Sequence, residues 1–190
     1  MESLFELDTE LLLFLNSLGS PRFDSFWLAI TKQFNWAPVF LLVLVYMFRQ
    51  LGVKKGVFTL VFLIFLVAFS DQFTNFIKGI TSRTRPCNTD ALQDHLRYFS
   101  YKPKGYSFWS GHASLSTTFT VFMILMFRTR SKSIYALLVF PLFFGYSRIY
   151  LGVHYPLDVT MGYISGIILG WLFFRLYRIL HQKIFKQPYF

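Results

Sequence analysis

Gly145-Tyr146-Ser147-Arg148-Ile149-Tyr150-Leu151-Gly152-Val153-His154-Tyr155-Pro156-Leu157-Asp158 joins two very apolar segments, yet it holds an arginine, a histidine and an aspartate. Charged groups at the end of a membrane span are costly and mark function. Pro156 suits the first turn of a new helix, where its missing N–H has no partner to lose. Asp158 then falls in that first turn, and His154 stands four residues back, within reach of the carboxylate. A carboxylate holding one ring nitrogen fixes the tautomer and leaves the other nitrogen free to react. Arg148 adds a permanent forked cation. A guanidinium, an oriented imidazole and a helix N-terminus at one spot make an anion-handling site that contains a nucleophile.

Outward from this stretch the chain is that of a membrane protein. Of its 190 residues 54% are hydrophobic and only 15% charged, and the apolar residues come in long runs. A bilayer core of ~30 Å needs ~20 apolar residues per helix, fewer where flanking side chains reach for the interface. Spans are expected over about 35–48, 56–77, 110–127, 133–149 and 156–178, giving an all-α polytopic bundle of about five transmembrane helices. Residues 4–17 and 23–33 read as amphipathic helices lying at the interface. The expected layout is therefore interfacial helices in 1–34, a membrane core in 35–182 with an outer segment 79–109, and a tail 183–190. Gly162, Gly166 and Gly170 recur every four residues on the last span, a small-residue face that lets another helix approach closely.

The net charge of +10 does not point to nucleic acid, because the basic residues lie between spans and at one site rather than along an exposed stripe. The short turns 49–55 and 128–132 carry Arg49, Lys54, Lys55, Arg128, Arg130 and Lys132 with no acid, and the end of the last span is likewise basic. These are expected to face the cytoplasm. All nine acids then fall on or near the opposite face, together with the segment 79–109 and the turn 148–155. The single Cys87 permits no internal disulfide, and the acidic N-terminus lacks the basic start of a cleavable signal peptide.

Two more polar clusters reach that face. Lys78 ends the second span, and Arg85-Pro86 comes seven residues later. An ammonium and a guanidinium together suit the several oxygens of a phosphate. Ser110-Gly111-His112 stands before the third span. Ser110 can cap that helix, Gly111 lets backbone N–H groups come close to an anion, and His112 is placed for proton transfer. The clusters hold three cations, an anion cradle, two histidines and one carboxylate, with neither a carboxylate cage for magnesium nor a Cys/His set for zinc. That combination suits phosphoryl transfer without metal or other cofactor.

Lys78 with six residues before Arg85-Pro86, then Ser110-Gly111-His112, then Ser147-Arg148 with five residues before His154 and three more before Asp158, resembles the type-2 phosphatidic acid phosphatase superfamily, which also includes bacterial acid phosphatases and vanadium haloperoxidases. The motifs cover residues 78–158, and Trp109 stands where the family usually has proline. The resemblance implies that Lys78, Arg85 and Arg148 clamp the phosphate oxygens, completed by Ser110 and the N–H of Gly111. It implies that His154 attacks phosphorus to form a phosphohistidine, that Asp158 orients it, and that His112 protonates the leaving oxygen and then activates water.

The expected activity is hydrolysis of a lipid-linked phosphate, with undecaprenyl diphosphate as the substrate. Phosphatidate, phosphatidylglycerol phosphate and lipid A phosphate are the alternatives. Membrane lipids surround the protein, with no nucleic acid and no obligate protein partner. The expected setting is a bacterial inner membrane, with the site on the periplasmic or extracellular side. Arg83 is expected to touch a second phosphate or a sugar headgroup, and Asp71 to make a structural hydrogen bond. A lipid phosphotransferase and a non-enzymatic lipid-phosphate carrier are the readings of other classes, though pure binding needs only cations.

Overall fold

The computed structural model describes residues 2–97 and 99–187; Met1 and the last three residues of the expected tail lie outside them. Within these the chain is helical, without strands. Helix α1 spans Glu2–Ser17, α2 Pro21–Ile30, α3 Ala37–Thr81, α4 Asp90–Gln93, α5 Gly111–Phe127, α6 Val139–Tyr150 and α7 Pro156–Phe185. Short 3-10 turns precede α3, α4 and α6.

At 1.5 Å per residue α3 would be ~68 Å long, twice the bilayer core. It is two arms. Gly52 breaks the helix at φ 72°, a left-handed conformation that costs glycine nothing and a β-branched residue a great deal. Ring contacts show that the arms run in opposite directions. Phe40 meets Phe119 and Tyr46 meets Phe127, whereas Phe62 meets Phe122 and Phe73 meets Trp109. The first arm is thus parallel to α5 and the second antiparallel to it, in agreement with the turn expected at 49–55.

Helix α5 is the axis of the bundle. The α7 glycines lie along it in order, and a β-carbon on Gly162 would come within 2.7 Å of the Ser110 carbonyl and 2.9 Å of the Ala113 β-carbon. Between lipid-solvated helices such close packing and interhelical hydrogen bonds supply the cohesion. One such bond joins Thr59 to the Tyr177 hydroxyl at 2.8 Å, beside a cluster of Phe62, Phe122, Phe173 and Tyr177. α6 runs the other way, with its first half opened into a 3-10 stretch, Lys132–Leu138. Pro141 has no N–H to give to Leu137, so a regular α-helix cannot extend backwards through that point. α7 continues past the expected 178 to Phe185, which takes the first residues of the anticipated tail into the helix.

The N-terminal helices differ most from expectation. α1 exposes Leu4, Phe5, Leu7, Leu11 and Phe14, while Asp8, Leu12 and Asn16 are buried on one face. In a protein solvated by lipid the polar groups turn inward. Asn16 Nδ2 donates to the Tyr150 carbonyl at 2.7 Å, and its Oδ1 accepts from the Arg97 N–H at 2.9 Å. Asp24 on α2 binds Arg97 through both carboxylate oxygens and accepts from the Tyr150 hydroxyl at 2.7 Å. These helices therefore dock onto the end of the bundle where the three motifs lie.

Candidate active site

After Tyr150 the chain makes one tight turn. Gly152 takes φ 63°, and the N–H groups of Val153 and His154 both donate to the Arg148 carbonyl. α7 then begins at Pro156. Asp158, in its first turn, accepts the Tyr155 N–H at 3.0 Å, a carboxylate reaching back to cap its own helix. The same oxygen lies 3.4 Å from Nδ1 of His154. The other ring nitrogen, Nε2, lies 2.9 Å from Nη1 of Arg85. A guanidinium can only donate, so Nε2 is the acceptor and the proton resides on Nδ1, facing Asp158. Burial first, then the charges of Arg148 and Arg85, hold the His154 imidazole well below the ordinary histidine range. Its lone pair therefore stays on the nitrogen opposite the carboxylate.

Arg85 is fixed by two carbonyls, Gly105 through Nε and Val153 through Nη1, both at 3.1 Å. Burial and the neighbouring Arg148 charge lower its pKa from the usual value. Arg148 is 1% exposed. It donates to the Thr31 hydroxyl, lies 3.5 Å from the Tyr101 hydroxyl, and leaves its Nε without a partner. Lys78 ends 3.9 Å from where a β-carbon on Gly111 would sit, at the first turn of α5. Ser110 caps that helix, its Oγ accepting the Ala113 N–H at 3.4 Å, and its own N–H donates to the Asp158 carbonyl at 2.9 Å. The α5 N-terminus is thereby stitched to the α7 N-terminus. His112 stacks 4.5 Å from the Phe144 ring, is hydrogen-bonded to the backbone of Thr31, and feels the charges of Arg148, His154 and Lys78.

The structure thus brings Lys78, Arg85, Ser110, Gly111, His112, Arg148, His154 and Asp158 to one end of the bundle. Arg83 has another use. Its Nη1 donates to Asp158 Oδ1 at 2.7 Å and its Nη2 to Asp8 Oδ2 at 2.6 Å. Asp71, outside the site, accepts from Asn75 at 3.1 Å. Trp109 is anchored on α3, its Nε1 donating to Thr74 at 3.3 Å. Among the described residues no three His, Cys, Asp or Glu side chains gather as metal ligands.

Asp8, Thr31, Tyr101 and Ser107 were not legible as site residues. Ser107 fastens the loop by donating through N–H and hydroxyl to the Arg83 carbonyl. For Asp8 a signal existed: Asp8, Leu12 and Asn16 recur four apart on one helical face. For Thr31 and Tyr101, single polar residues in loops, none did.

A family model, the PAP2 superfamily, matches residues 56–181. A lipid A 4'-phosphatase of Bacteroides thetaiotaomicron is 34% identical over 92% of this chain and 78% of its own. An undecaprenyl-diphosphatase of Sulfolobus acidocaldarius is 31% identical over 75% of this chain and 62% of its own. Among solved structures, Aquifex aeolicus LpxE superimposes with a TM-score of 0.67 at 26% identity, covering 89% of this chain and 95% of that one. A transmembrane PAP2 type phosphatidylglycerolphosphate phosphatase from Bacillus subtilis shares the fold, with a TM-score of 0.68 at 18% identity over 91% of this chain and 85% of that one. With its apolar helices and its three sequence motifs in order, the chain belongs to the PAP2 superfamily and is a phosphoric ester hydrolase integral to the membrane.

Proposed function

We propose that the enzyme removes a phosphate from lipid A, acting at the outer membrane–water interface through a phosphohistidine on His154 and without a metal ion. One observation carries the chemistry. Among the described residues Lys78, Arg85 and Arg148 have no carboxylate partner, whereas Asp158 is paired with Arg83, which it shares with Asp8. The site therefore faces an incoming anion with three cations that have no carboxylate partner of their own, around a buried, neutral imidazole backed by Asp158. Buried cations left unpaired are costly, and a bound phosphate offsets that cost.

In the reaction the phosphate oxygens take the guanidinium of Arg85 off Nε2 of His154. The Nε2 lone pair then attacks phosphorus in line, the P–O bond to the lipid breaks, and its electrons leave with the lipid oxygen, which His112 protonates. Asp158 holds the Nδ1 proton and balances the charge developing on the ring. His112, now a base, takes a proton from water as that water attacks the phosphohistidine, which releases phosphate and restores the free imidazole. Arg85, Arg148, Lys78 and the α5 N-terminus stabilise the equatorial oxygens throughout.

The substrate assignment departs from the polyprenyl diphosphate expected from the sequence. The lipid A 4'-phosphatases of Bacteroides thetaiotaomicron and Porphyromonas gingivalis align over 92% and 93% of the chain, while the undecaprenyl-diphosphatase of Sulfolobus acidocaldarius aligns over 75%. Undecaprenyl diphosphate stays as the second reading on the strength of that relative. We take the two α3 arms, α5, the 132–150 segment and α7 as five bilayer crossings; the basic turns favour the cytoplasm, which supports a site on the periplasmic side of a bacterial inner membrane.

The test is phosphate release by purified protein in detergent micelles from lipid A, undecaprenyl diphosphate, phosphatidylglycerol phosphate and phosphatidate, with EDTA present throughout. Lipid A should be hydrolysed fastest, and His154→Ala should abolish release. Loss of activity in EDTA would overturn the mechanism. A faster undecaprenyl diphosphate reaction would overturn the substrate.

A further inference from the structure

We infer that Asp8, on the N-terminal helix, is a positioning residue for the catalytic carboxylate, acting through Arg83. The inference rests on the roles proposed for His154 and Asp158. Four side chains form a continuous chain from α1 to the nucleophile. Asp8 Oδ2 accepts from Arg83 Nη2 at 2.6 Å, Arg83 Nη1 donates to Asp158 Oδ1 at 2.7 Å, and Asp158 Oδ2 faces Nδ1 of His154 at 3.4 Å. The second oxygen of Asp8 accepts the N–H of Leu157 at 2.8 Å, one residue before Asp158. Asp8 thus holds both the guanidinium that grips Asp158 and the helical turn that carries it.

The arrangement is rigid. Asp8 is 6% exposed and Asp158 fully buried. The Arg83 guanidinium lies 3.9 Å from the Tyr155 ring centroid and 5.2 Å from that of Phe5, so aromatic faces bound it where carboxylates do not. A guanidinium has one fork face per carboxylate when it serves two. With Asp8 gone, the whole fork becomes available to Asp158 and can draw its carboxylate away from the imidazole. A displacement of about 1 Å among groups that orient a nucleophile can cost about a hundredfold in rate. Asp8 touches no reacting group and reaches the nucleophile through Asp158, held by Arg83 and by the turn at Leu157, so its loss falls on the chemical step.

The experiment is a double-mutant cycle on Asp8→Asn and Arg83→Gln. It uses full-length protein in micelles and whichever lipid among the four is hydrolysed fastest, with melting temperature followed in parallel. Asparagine keeps the size of the side chain but cannot accept from both Arg83 and Leu157. Asp8→Asn should lower kcat at least tenfold and change KM less than threefold. In the Arg83→Gln background the same substitution should change kcat less than twofold, because the guanidinium path to Asp158 is already cut and the amide oxygen of asparagine can still accept the Leu157 N–H. An equal loss in both backgrounds would show that Asp8 acts only as a cap on α7 and would overturn the inference, as would a loss confined to KM or no loss at all. Should Asp8→Asn fail to accumulate, Asp8→Ser carries the same cycle. His154→Ala in the same assay separates the two levels. If that variant keeps its activity, the phosphohistidine reading fails. If it is dead while Asp8→Asn is normal, only the present inference fails.

Discussion

The guanidinium of Arg85 donates to Nε2 of His154 across 2.9 Å, so the resting site keeps a cation on the atom proposed to attack phosphorus. Two carbonyls hold that guanidinium in place, Gly105 through Nε and Val153 through the same Nη1. A phosphate entering the site trades one acceptor for another and frees the lone pair in the same movement. Arg85→Gln should lower kcat/KM by about a hundredfold or more and weaken inhibition by vanadate, a five-coordinate analogue of the transferring phosphoryl group. Arg85→Lys should recover little, since an ammonium cannot serve two carbonyls and a phosphate from one plane. Steady-state kinetics on the purified variants decides it, and near-wild-type vanadate inhibition in Arg85→Gln would count against this role.

His112 sits in the first turn of α5, hydrogen-bonded to the Thr31 backbone and within range of the His154 ring. If it serves as base for the attacking water, its loss should stall the second half-reaction more than the first with a substrate whose leaving group needs no proton. With p-nitrophenyl phosphate, His112→Asn should accumulate an acid-labile, base-stable phosphoenzyme, and His154→Ala should show none. Quenched-flow labelling followed by peptide mapping reads this directly. Label on any other residue would refute the assignment.

The contact between α5 and α7 links bundle packing to the site. A β-carbon on Gly162 would press on the Ser110 carbonyl and the Ala113 side chain, both backbone-close and unable to swing away. Gly162→Ala should therefore destabilise the protein by about 1–3 kcal/mol, as overpacking does. It should also reduce kcat, because Ser110 is bonded through its N–H to Asp158. Gly79→Ala, where nothing lies within 4 Å of the new carbon, is the control and should leave the contacts of its neighbours unchanged. Thermal melts in detergent compare them.

The buried His154 also sets a pH dependence of stability. Its pKa in the folded protein lies below the unfolded value of about 6.5. Below about pH 6.5 the unfolded chain takes up a proton that the folded site refuses, so stability falls as pH falls and is level above that point. The melting temperature should drop from about pH 7 to about pH 5, and His154→Asn should remove part of the slope. An identical slope in the variant would show that other groups cause it.

Much of the membrane core was legible because its signals are local. Apolar runs bounded by Lys and Arg gave the helices, and Pro156, Ser110 and Gly52 sit at the helix ends and breaks that their chemistry favours. The motif residues were legible because spacing along the chain fixes them to helix ends. Arg83 was not: from sequence it is one more loop cation near headgroups, and only the fold sets it between Asp8 and Asp158, each 75 residues away. Asp8 and Asp24 read as the polar side of interfacial helices. The reversal arises because lipid, not water, is the solvent for Leu4, Leu7 and Leu11, so the carboxylates are driven inward to cationic partners. Thr31 makes its contact across 117 residues, with no local pattern to announce it.

Arg148 keeps an unused Nε–H deep in the protein, aimed where no protein oxygen meets it. Such a donor cannot distinguish an esterified phosphate from the free ion left after turnover. On the proposed mechanism, orthophosphate from the second half-reaction is left beside that donor with the lipid already gone. Free phosphate from the aqueous side should then compete with substrate for the same donors, as a product inhibitor.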